Sequence, residues 1–111
     1  MSDVQTEAEF QDVVLELAGV CGWMVHHVRP ARMKDGSWRT PVQGDVGFPD
    51  LVLVRDGRIV FAELKSERGR LSAAQKDWLG ELRKAAAWCG VSVVVELWRP
   101  SDWDDVVACL T

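Results

Sequence analysis

The segment GFPDLVLVRDGRIVFAELK, residues 47–65, decides the fold because it has the pattern of a single β-hairpin. Two apolar runs, Leu51–Val54 and Ile59–Leu64, are separated by Asp56-Gly57, a dipeptide typical of two-residue hairpin turns. The second run is apolar at successive positions, and a strand with two apolar faces belongs in the middle of a sheet. The segment therefore predicts an antiparallel pair whose second strand is central.

The two-residue turn also fixes which residues lie opposite each other. Counting outward from the turn, the predicted pairs are Arg55–Arg58, Val54–Ile59, Val52–Phe61 and Asp50–Glu63. Residues directly opposite share one face of the sheet, and Lys65, two positions after Glu63, lies on that face as well. Two carboxylates side by side destabilise a hairpin, and they lose hydration when apolar residues surround them. The register therefore predicts that something compensates the charges of Asp50 and Glu63.

A divalent cation between the two carboxylates would reverse the sign of their interaction. Oxygen ligands suit a hard cation such as Mg²⁺, and Lys65 would place a fixed positive charge beside it. A metal ion next to an ammonium group favours reactions in which negative charge develops on phosphate oxygens. The alternative is a solvated hairpin end, with Asp50 in a turn and a surface ion pair between Glu63 and Lys65. Because Glu63 and Lys65 continue an apolar face of the strand, the metal-binding interpretation is favoured.

The dipeptide Pro49-Asp50, followed after twelve residues by Glu63-Leu64-Lys65, resembles the signature of PD-(D/E)xK nucleases. The wider string GFPDLVLV…FAELKSERGRLSAAQ resembles the VRR-NUC branch of that superfamily, which consists of small virus-type nuclease modules. The resemblance extends from about Glu7 to the C-terminus. It implies a restriction-endonuclease-like three-layer α/β/α fold, in which residues 1–111 form one domain around a mixed four-stranded sheet.

The remaining elements follow from periodicity and capping signals and give the order α-β-β-β-α-β-α. The predicted segments outside the hairpin are a helix from Thr6 to about Val20, a strand from Trp23 to Val28, a helix from Ser72 to about Trp88, a strand from Val91 to Trp98 and a short helix from Ser101 to Ala108. Capping boxes at Thr6 and Ser72, and a cap at Ser101, mark the helix starts. The strand–helix–strand unit that ends at Trp98 should be a right-handed crossover, which makes its two strands parallel.

The resemblance also implies roles for the residues of the hairpin. Asp50, Glu63 and the backbone carbonyl of Leu64 would bind Mg²⁺ or Mn²⁺. Lys65 would help to position or deprotonate the attacking water and would stabilise the negative charge that develops on the phosphate. These residues account for hydrolysis without a covalent intermediate.

Two residues outside the hairpin complete the site in the resembling family. An acid of the first helix serves as an additional metal ligand or orients water, and this role is assigned to Glu7, with Glu9 as the alternative. A glutamine in the helix after the signature corresponds to Gln75. Each also has a structural explanation, because Glu7 favours the positive N-terminus of its helix and Gln75 completes an S-x-x-Q capping box with Ser72.

Contacts to nucleic acid are predicted for basic residues on both sides of the hairpin. The candidates are Arg29, Arg32, Lys34, Trp38, Arg39, Arg68 and Arg70, together with His27. Most lie at or within the stretch Pro30–Val46, where bases interleaved with a tryptophan suit phosphate contact and base stacking. The stretch is also long for a connector in a compact domain. The alternative is a solvated loop whose tryptophan folds onto the domain, and a strand histidine is more often structural or exposed.

The overall composition limits the functions that the chain can have. Its 111 residues suffice for one domain with one core, and no apolar run is long enough to span a membrane. The formal charge of −4 argues against binding nucleic acid through bulk positive charge. Three widely spaced cysteines without a C-x-x-C pair favour neither a zinc site nor a disulfide framework. Without a signal-peptide pattern at the N-terminus, a cytoplasmic location is expected.

The combined prediction is a Mg²⁺- or Mn²⁺-dependent nuclease that hydrolyses DNA. The resemblance suggests an endonuclease for structured DNA, such as junctions or flaps, in repair or recombination. Cutting two strands would require two sites and hence a homodimer, and some of the six tryptophans could line its interface. Two alternatives stay open: a non-catalytic DNA-binding module of the same fold, and an RNA nuclease with the same chemistry.

Overall fold

The computed structural model describes residues 5–28, 31–39 and 42–111. Within these ranges the helices are α1 (Glu7–Val20), α2 (Ala73–Cys89) and α3 (Trp103–Leu110), and the strands are β1 (Met24–His27), β2 (Ala31–Arg32), β3 (Trp38–Arg39), β4 (Leu51–Arg55), β5 (Arg58–Leu64) and β6 (Val93–Trp98). Short 3₁₀ turns, Gly90–Ser92 and Pro100–Asp102, precede β6 and α3. None of the helices in the described part of the chain is long and apolar enough to cross a membrane.

Four strands form a mixed sheet in the order β1-β4-β5-β6. β1, β4 and β5 are antiparallel neighbours, whereas β6 runs parallel to β5. This arrangement confirms the predicted mixed sheet, the central place of the second hairpin strand and the parallel strand–helix–strand unit. The stretch predicted to be irregular needs a correction, because it contains a second sheet in which β2 pairs with β3.

The β2–β3 hairpin is closed by a tight turn between strands of two residues each. Gly36 has a positive φ of 89°, and the backbone N–H of Met33 donates to the carbonyl of Ser37 at 2.7 Å. The Asp35 carboxylate also accepts a hydrogen bond from the backbone N–H of Ser37 at 2.9 Å. Two-residue strands are too short to show the period-two pattern that indicates a strand, so this pairing could not be predicted from the sequence.

The turn of the main hairpin has the conformation that its sequence predicts. Asp56 and Gly57 have φ angles of 49° and 78°, so both central residues are left-handed, as a type I′ turn requires. The ladder keeps the predicted register, and its pairs run from Arg55–Arg58 at the turn to Leu51–Ala62. Asp50 therefore lies one position beyond the last pair, where the chain bends into β4.

One face of the sheet carries the main core. Its fully buried side chains in β4 and β5 are Leu51, Leu53, Val60, Ala62 and Leu64. They form one cluster with buried residues of α1 and α3, which are Phe10, Val14, Ala18, Val106 and Leu110. This burial of apolar surface holds both helices against the same side of the sheet.

α2 covers the opposite face. The ring of Phe61 in β5 meets Phe48 edge-on, with 6.1 Å between the centroids, and Phe48 meets Trp78 of α2 at 5.0 Å. Helices therefore lie on both faces of the sheet, which confirms the predicted three-layer α/β/α arrangement. Because side chains two apart on a strand share a face, Glu63 points toward α2 as Phe61 does.

Two arginines that face each other across the hairpin turn are accommodated by the ends of two helices. The guanidinium groups of Arg55 and Arg58 lie over the indole of Trp23, at 4.7 and 5.7 Å from the ring centroid. Arg55 donates to the carbonyls of Cys21 and Leu110, at 2.9 and 3.1 Å. Because the C-terminal carbonyls of helices are partly negative, this arrangement offsets the repulsion between the two arginines.

The start of α3 corrects the predicted cap at Ser101. The Asp102 carboxylate instead accepts a hydrogen bond from the backbone N–H of Arg99 at 2.9 Å, and a 3₁₀ turn leads into the helix at Trp103. Pro100 explains the difference, because its fixed φ favours the first turn of a helix and starts the turn before Ser101.

Candidate active site

Asp50 binds the backbone of the neighbouring strand through its side chain. Its Oδ2 accepts a hydrogen bond from the backbone N–H of Leu64 at 2.8 Å. In an extended strand the N–H and C=O of one residue point to the same side, so the Leu64 carbonyl is directed toward the Asp50 side of β5. The Asp50 carboxylate and the Leu64 carbonyl, two of the metal ligands that the resemblance implies, thus lie on the same side of β5.

Glu63 is buried at the centre of the candidate site. Only 1% of its surface is exposed, and no other charged residue within the described ranges is buried. Its Oε2 accepts a hydrogen bond from Nε2 of Gln75 at 3.3 Å and lies 4.0 Å from Nζ of Lys65. Two partners of this carboxyl group are therefore Gln75 in the first turn of α2 and Lys65, the residue after β5.

The carboxyl group of Glu63 has an unusual affinity for a proton. Burial raises the pKa of Glu63 to about 9, and a hydrogen bond to Asp50 together with the negative charge of Asp50 acts in the same direction. The positive charge of Lys65 opposes this rise in pKa without cancelling it. At neutral pH and without a cation, Glu63 therefore holds a proton beside Asp50.

Lys65 links the hairpin to the first turn of α1. Its Nζ lies 3.8 Å from Oε1 of Glu7, and its side chain is 13% exposed. The Glu7 side chain is 49% exposed and reaches the cluster at the margin of the sheet. Burial raises the pKa of Glu7, Lys65 lowers it and Asp50 raises it, so Glu7 interacts with both residues.

Glu9, the alternative to Glu7, is engaged elsewhere. Its Oε1 accepts a hydrogen bond from the backbone N–H of Thr6 at 2.9 Å, and its own N–H donates to Thr6 Oγ1 at 3.1 Å. This is the predicted capping box, and the bond from the Thr6 backbone lowers the pKa of Glu9. Of the two acids, Glu7 is the one that lies beside Lys65.

Gln75 has both of the roles that the sequence left open. Its Oε1 accepts the backbone N–H of Ser72 at 2.8 Å in the capping box, while its Nε2 donates to Glu63. The opposite ends of one amide therefore serve the helix cap and the carboxylate. The amide reaches Glu63 because that side chain points toward α2.

A close backbone approach brings the Pro49-Asp50 segment against the start of α2. Gly47 has a φ of +98°, and a Cβ at this position would lie 2.6 Å from the carbonyl carbon of Ala74 and 2.8 Å from the backbone nitrogen of Gln75. Both the positive φ and the lack of space require glycine here. Gly47 therefore sets the distance between the loop that carries Asp50 and the helix that carries Gln75.

Arg99 was not among the predicted site residues, yet it organises the loop that follows Lys65. Its Nη1 donates to the backbone carbonyls of Ser66 and Gly69, both at 2.7 Å, and to that of Glu67 at 3.2 Å. The Glu67 carboxylate in turn accepts a hydrogen bond from the backbone N–H of Ser101. No local pattern could reveal these contacts, because they join residues about thirty positions apart.

The loop held by Arg99 packs on the side chain of Lys65. A Cβ at Gly69 would lie 3.4 Å from Cδ of Lys65 and 3.0 Å from Oγ of Ser66. The Lys65 stem is therefore confined between this loop and the carboxylates. Arg99 acts on the candidate site through the loop, as a positioning residue.

The structure describes the side chains of only some of the residues that are predicted to contact nucleic acid. Lys34, Arg68, Arg70 and Trp38 are exposed. Arg29 and the side chains of Arg32 and Arg39 lie outside what the structure describes.

The two histidines of β1 lie on opposite faces of the sheet, and nucleic-acid contact by His27 stays a prediction. His27 pairs with Leu51 and shares the core face, whereas His26 pairs with Val52 and shares the face of Glu63. His26 is also the more exposed of the two. The register of an edge strand relative to β4 could not be derived from the hairpin turn alone.

The donor atoms of the cluster fit a hard divalent cation in kind. Among the described residues, no group of three or more His, Cys, Asp or Glu side chains is arranged to hold a metal ion. The donor set is instead two carboxyl groups, of Asp50 and Glu63, and the Leu64 carbonyl. All of these are oxygen ligands of the type that Mg²⁺ and Mn²⁺ prefer.

The sequence model of the VRR-NUC domain matches residues 30–96. This range contains Asp50, Glu63, Lys65 and Gln75, but neither Glu7 nor Arg99. The match confirms the resemblance that was based on the hairpin and the string after it. No curated protein has a matching sequence.

The raised pKa of Glu63 predicts how the stability of the metal-free protein depends on pH. The folded-state pKa of about 9 exceeds the ordinary value of 4.5, so the contribution of Glu63 is fully present below about pH 4.5 and is lost as the pH rises toward 9. Glu63→Gln removes this dependence. As the pH rises from 6 to 8, the free energy of unfolding of the wild type should fall by on the order of 3 kcal/mol relative to that of the variant, at about 1.4 kcal/mol per pH unit.

Urea denaturation in EDTA at several pH values measures this difference. Glu81→Gln is the matched control, because Glu81 is an exposed residue of α2 and its loss should leave the pH profile unchanged. Parallel profiles for the wild type and Glu63→Gln would show that Glu63 is ionised in the folded protein.

Removing Arg99 should loosen the loop at residues 66–70, which contains the trypsin sites Arg68 and Arg70. Arg99→Ala eliminates the hydrogen bonds to three carbonyls, so the loop opens more often and tryptic cleavage after Arg68 and Arg70 accelerates about tenfold or more. Mass spectrometry of timed digests measures the two rates. Arg83→Ala, a change on the exposed side of α2, is the control, and equal rates for the wild type and Arg99→Ala would contradict the role of Arg99.

Proposed function

The chain belongs to the VRR-NUC domain family, and on that basis we propose that it is a nuclease that hydrolyses phosphodiester bonds of DNA with Mg²⁺ or Mn²⁺. The observation that carries the proposal is the pairing of the buried Glu63 with the half-buried Asp50 beside Lys65. A pair of carboxyl groups that retains a proton in the absence of a cation is poorly explained as a contribution to stability. It is well explained as a binding site for a cation that replaces the proton.

The protein residues supply the ligands and hold them in place. Asp50, Glu63 and the Leu64 carbonyl would hold the cation, which supplies Lewis-acid chemistry by lowering the pKa of water and neutralising charge on a phosphate. The Asp50 carboxylate is fixed by its hydrogen bond to the Leu64 N–H. Gln75 fixes the carboxyl group of Glu63 from the side of α2.

Lys65 provides the fixed positive charge of the site. Its stem is confined by the loop at Gly69, and its ammonium group lies within 4.0 Å of oxygens of both Glu63 and Glu7. A charge held in this way stabilises negative charge on phosphate oxygens without having to reorganise during the reaction. Glu7 orients the ammonium group and can accept a proton from water at the edge of the cluster.

DNA would be held by local positive charge, because the chain as a whole carries a formal charge of −4. Arg68 and Arg70 are exposed on the loop directly after Lys65, and Lys34 is exposed on the β2–β3 turn. Basic side chains at these places suit contacts to the phosphates on either side of the cleaved bond. Binding should therefore weaken steeply with salt.

We further propose that the substrate is branched or flapped DNA, cut endonucleolytically during repair or recombination in the cytoplasm. Two strands can be cut by a homodimer that carries two sites. Trp88 in the last turn of α2 and Val91 in the 3₁₀ turn that follows are each 92% exposed. Apolar side chains exposed in this way would suit contact with a second copy.

A cleavage panel tests the proposed function. Single-stranded, duplex, flap and four-way junction DNA, with a matched RNA, are each incubated with Mg²⁺, Mn²⁺ or EDTA. We expect cleavage of DNA with either metal and none in EDTA. Asp50→Asn and Lys65→Ala should each lower the rate about a hundredfold or more, because each removes a charge at the reacting phosphate.

Asp12→Asn is the matched control, since Asp12 is an exposed acid of α1 outside the cluster. Its cleavage rate should equal that of the wild type. If Asp50→Asn cleaved DNA at the wild-type rate in Mg²⁺, the mechanism would be contradicted. Binding of DNA without cleavage under any condition would instead identify a non-catalytic binding module, and faster cleavage of RNA would reassign the substrate.

A further inference from the structure

A cavity of about 320 Å³ adjoins the candidate site and shares Asp50 and Gln75 with it. Its wall is otherwise mostly apolar and includes Val28, Val42 and Phe48. These side chains are partly exposed, so the cavity is open to solvent. An apolar cavity next to convergent polar groups is the usual form of a binding site.

The charge of the described part of the lining favours an uncharged occupant over a phosphate. Among the described residues, the charged ones that line the cavity are Asp45 and Asp50, both of them acidic. An anion would be repelled, whereas an uncharged ring with hydrogen-bond donors at its edge would suit an apolar wall with acceptors near it. The nucleobases of DNA have this chemistry, since adenine, guanine and cytosine carry exocyclic amino groups.

Phe48 provides an aromatic surface in the cavity. Its ring makes edge-on contacts with Phe61 and Trp78, at interplanar angles of 88° and 87°, which hold it in one orientation. It is nevertheless 43% exposed. An aromatic ring that is fixed from behind and exposed in front can stack on a base at little cost in conformational entropy.

The basic part of the sequence begins and ends at this cavity. Val28 and Val42 both line it, and the chain between them contains Arg29, Arg32, Lys34 and Arg39. The predicted phosphate contacts of this stretch are therefore close in sequence to residues that line the cavity.

We propose that the cavity receives one nucleobase, turned out of its strand, from a nucleotide next to the phosphate held at Asp50 and Glu63. This inference rests on the proposed function and specifies its substrate class. A base in a fully paired duplex must first be unpaired and unstacked, whereas a base in a flap, a junction or a single strand needs less energy to turn out. The protein should therefore prefer DNA with an unpaired nucleotide at this position.

The test uses flap DNA that carries 2-aminopurine, a fluorescent base, at each position of the single-stranded segment in turn. Binding is measured with Ca²⁺ in place of Mg²⁺, so that a cation can hold the phosphate at Asp50 and Glu63 without supporting rapid cleavage. At one position the fluorescence should rise when the base leaves its neighbours and enters the cavity. Replacing that one base by an abasic site should weaken binding about tenfold, the effect of losing one stacked base.

Val46→Trp tests whether the cavity is responsible. Val46 lines the cavity and is exposed, so a larger side chain fills the space without disturbing the core. The variant should lose the fluorescence rise and bind the abasic and intact flaps equally. Val20→Trp is the matched control, because Val20 is an exposed valine at the end of α1 and does not line the cavity. It should behave as the wild type does.

The outcomes separate this inference from the proposed function. DNA that is bound with the fluorescence rise but never cut would overturn hydrolysis and support the base site. DNA that is cut, with equal binding of abasic and intact flaps and no position-specific rise, would overturn the base site alone. A Val46→Trp protein that keeps the rise but no longer self-associates in light scattering would assign the cavity to a second copy and overturn the proposal.

Discussion

Burial of the Glu63 carboxyl group next to Asp50 is the constraint on which the rest of the site depends. The hairpin forces the two acids together, because the type I′ turn sets a register in which they lie side by side at the end of the ladder. With 1% of Glu63 exposed, water cannot separate the charges. The protein alone meets this constraint by keeping a proton on Glu63, at a pKa of about 9. Because the carboxyl groups of Asp50 and Glu63 need either a proton or a cation between them, the pair is suited to bind a cation.

The other elements converge on this pair from three directions. α2 brings Gln75 to Glu63, and it can do so because Gly47 lets the backbone of the preceding loop touch the first turn of the helix. α1 brings Glu7 to Lys65 from the opposite face of the sheet. Arg99, which follows β6, holds the loop that confines the Lys65 stem. Each contact is weak by itself, but together they leave the acids and the ammonium group few alternative positions.

The sequence predicted what local signals determine. The register followed from Asp56-Gly57, and both capping boxes followed from residues three positions apart. Contacts between distant segments could not be predicted in this way. Arg99 binds carbonyls that no side-chain pattern identifies, and the face taken by His26 depends on how an edge strand aligns with β4. The half-exposed position of Glu7 likewise depends on where α1 ends over the sheet, which the helix period does not specify.

Calorimetric titration of the protein with Mn²⁺, in buffers of different ionisation enthalpy near neutral pH, tests the central claim most directly. If Glu63 holds a proton that the cation replaces, each cation bound should release about one proton, because metal ligands must be deprotonated. The release should disappear in Glu63→Gln and persist in the Glu81→Gln control. Binding of Mn²⁺ to the wild type with no proton release would contradict the account, because it would show that the buried carboxyl group is already ionised.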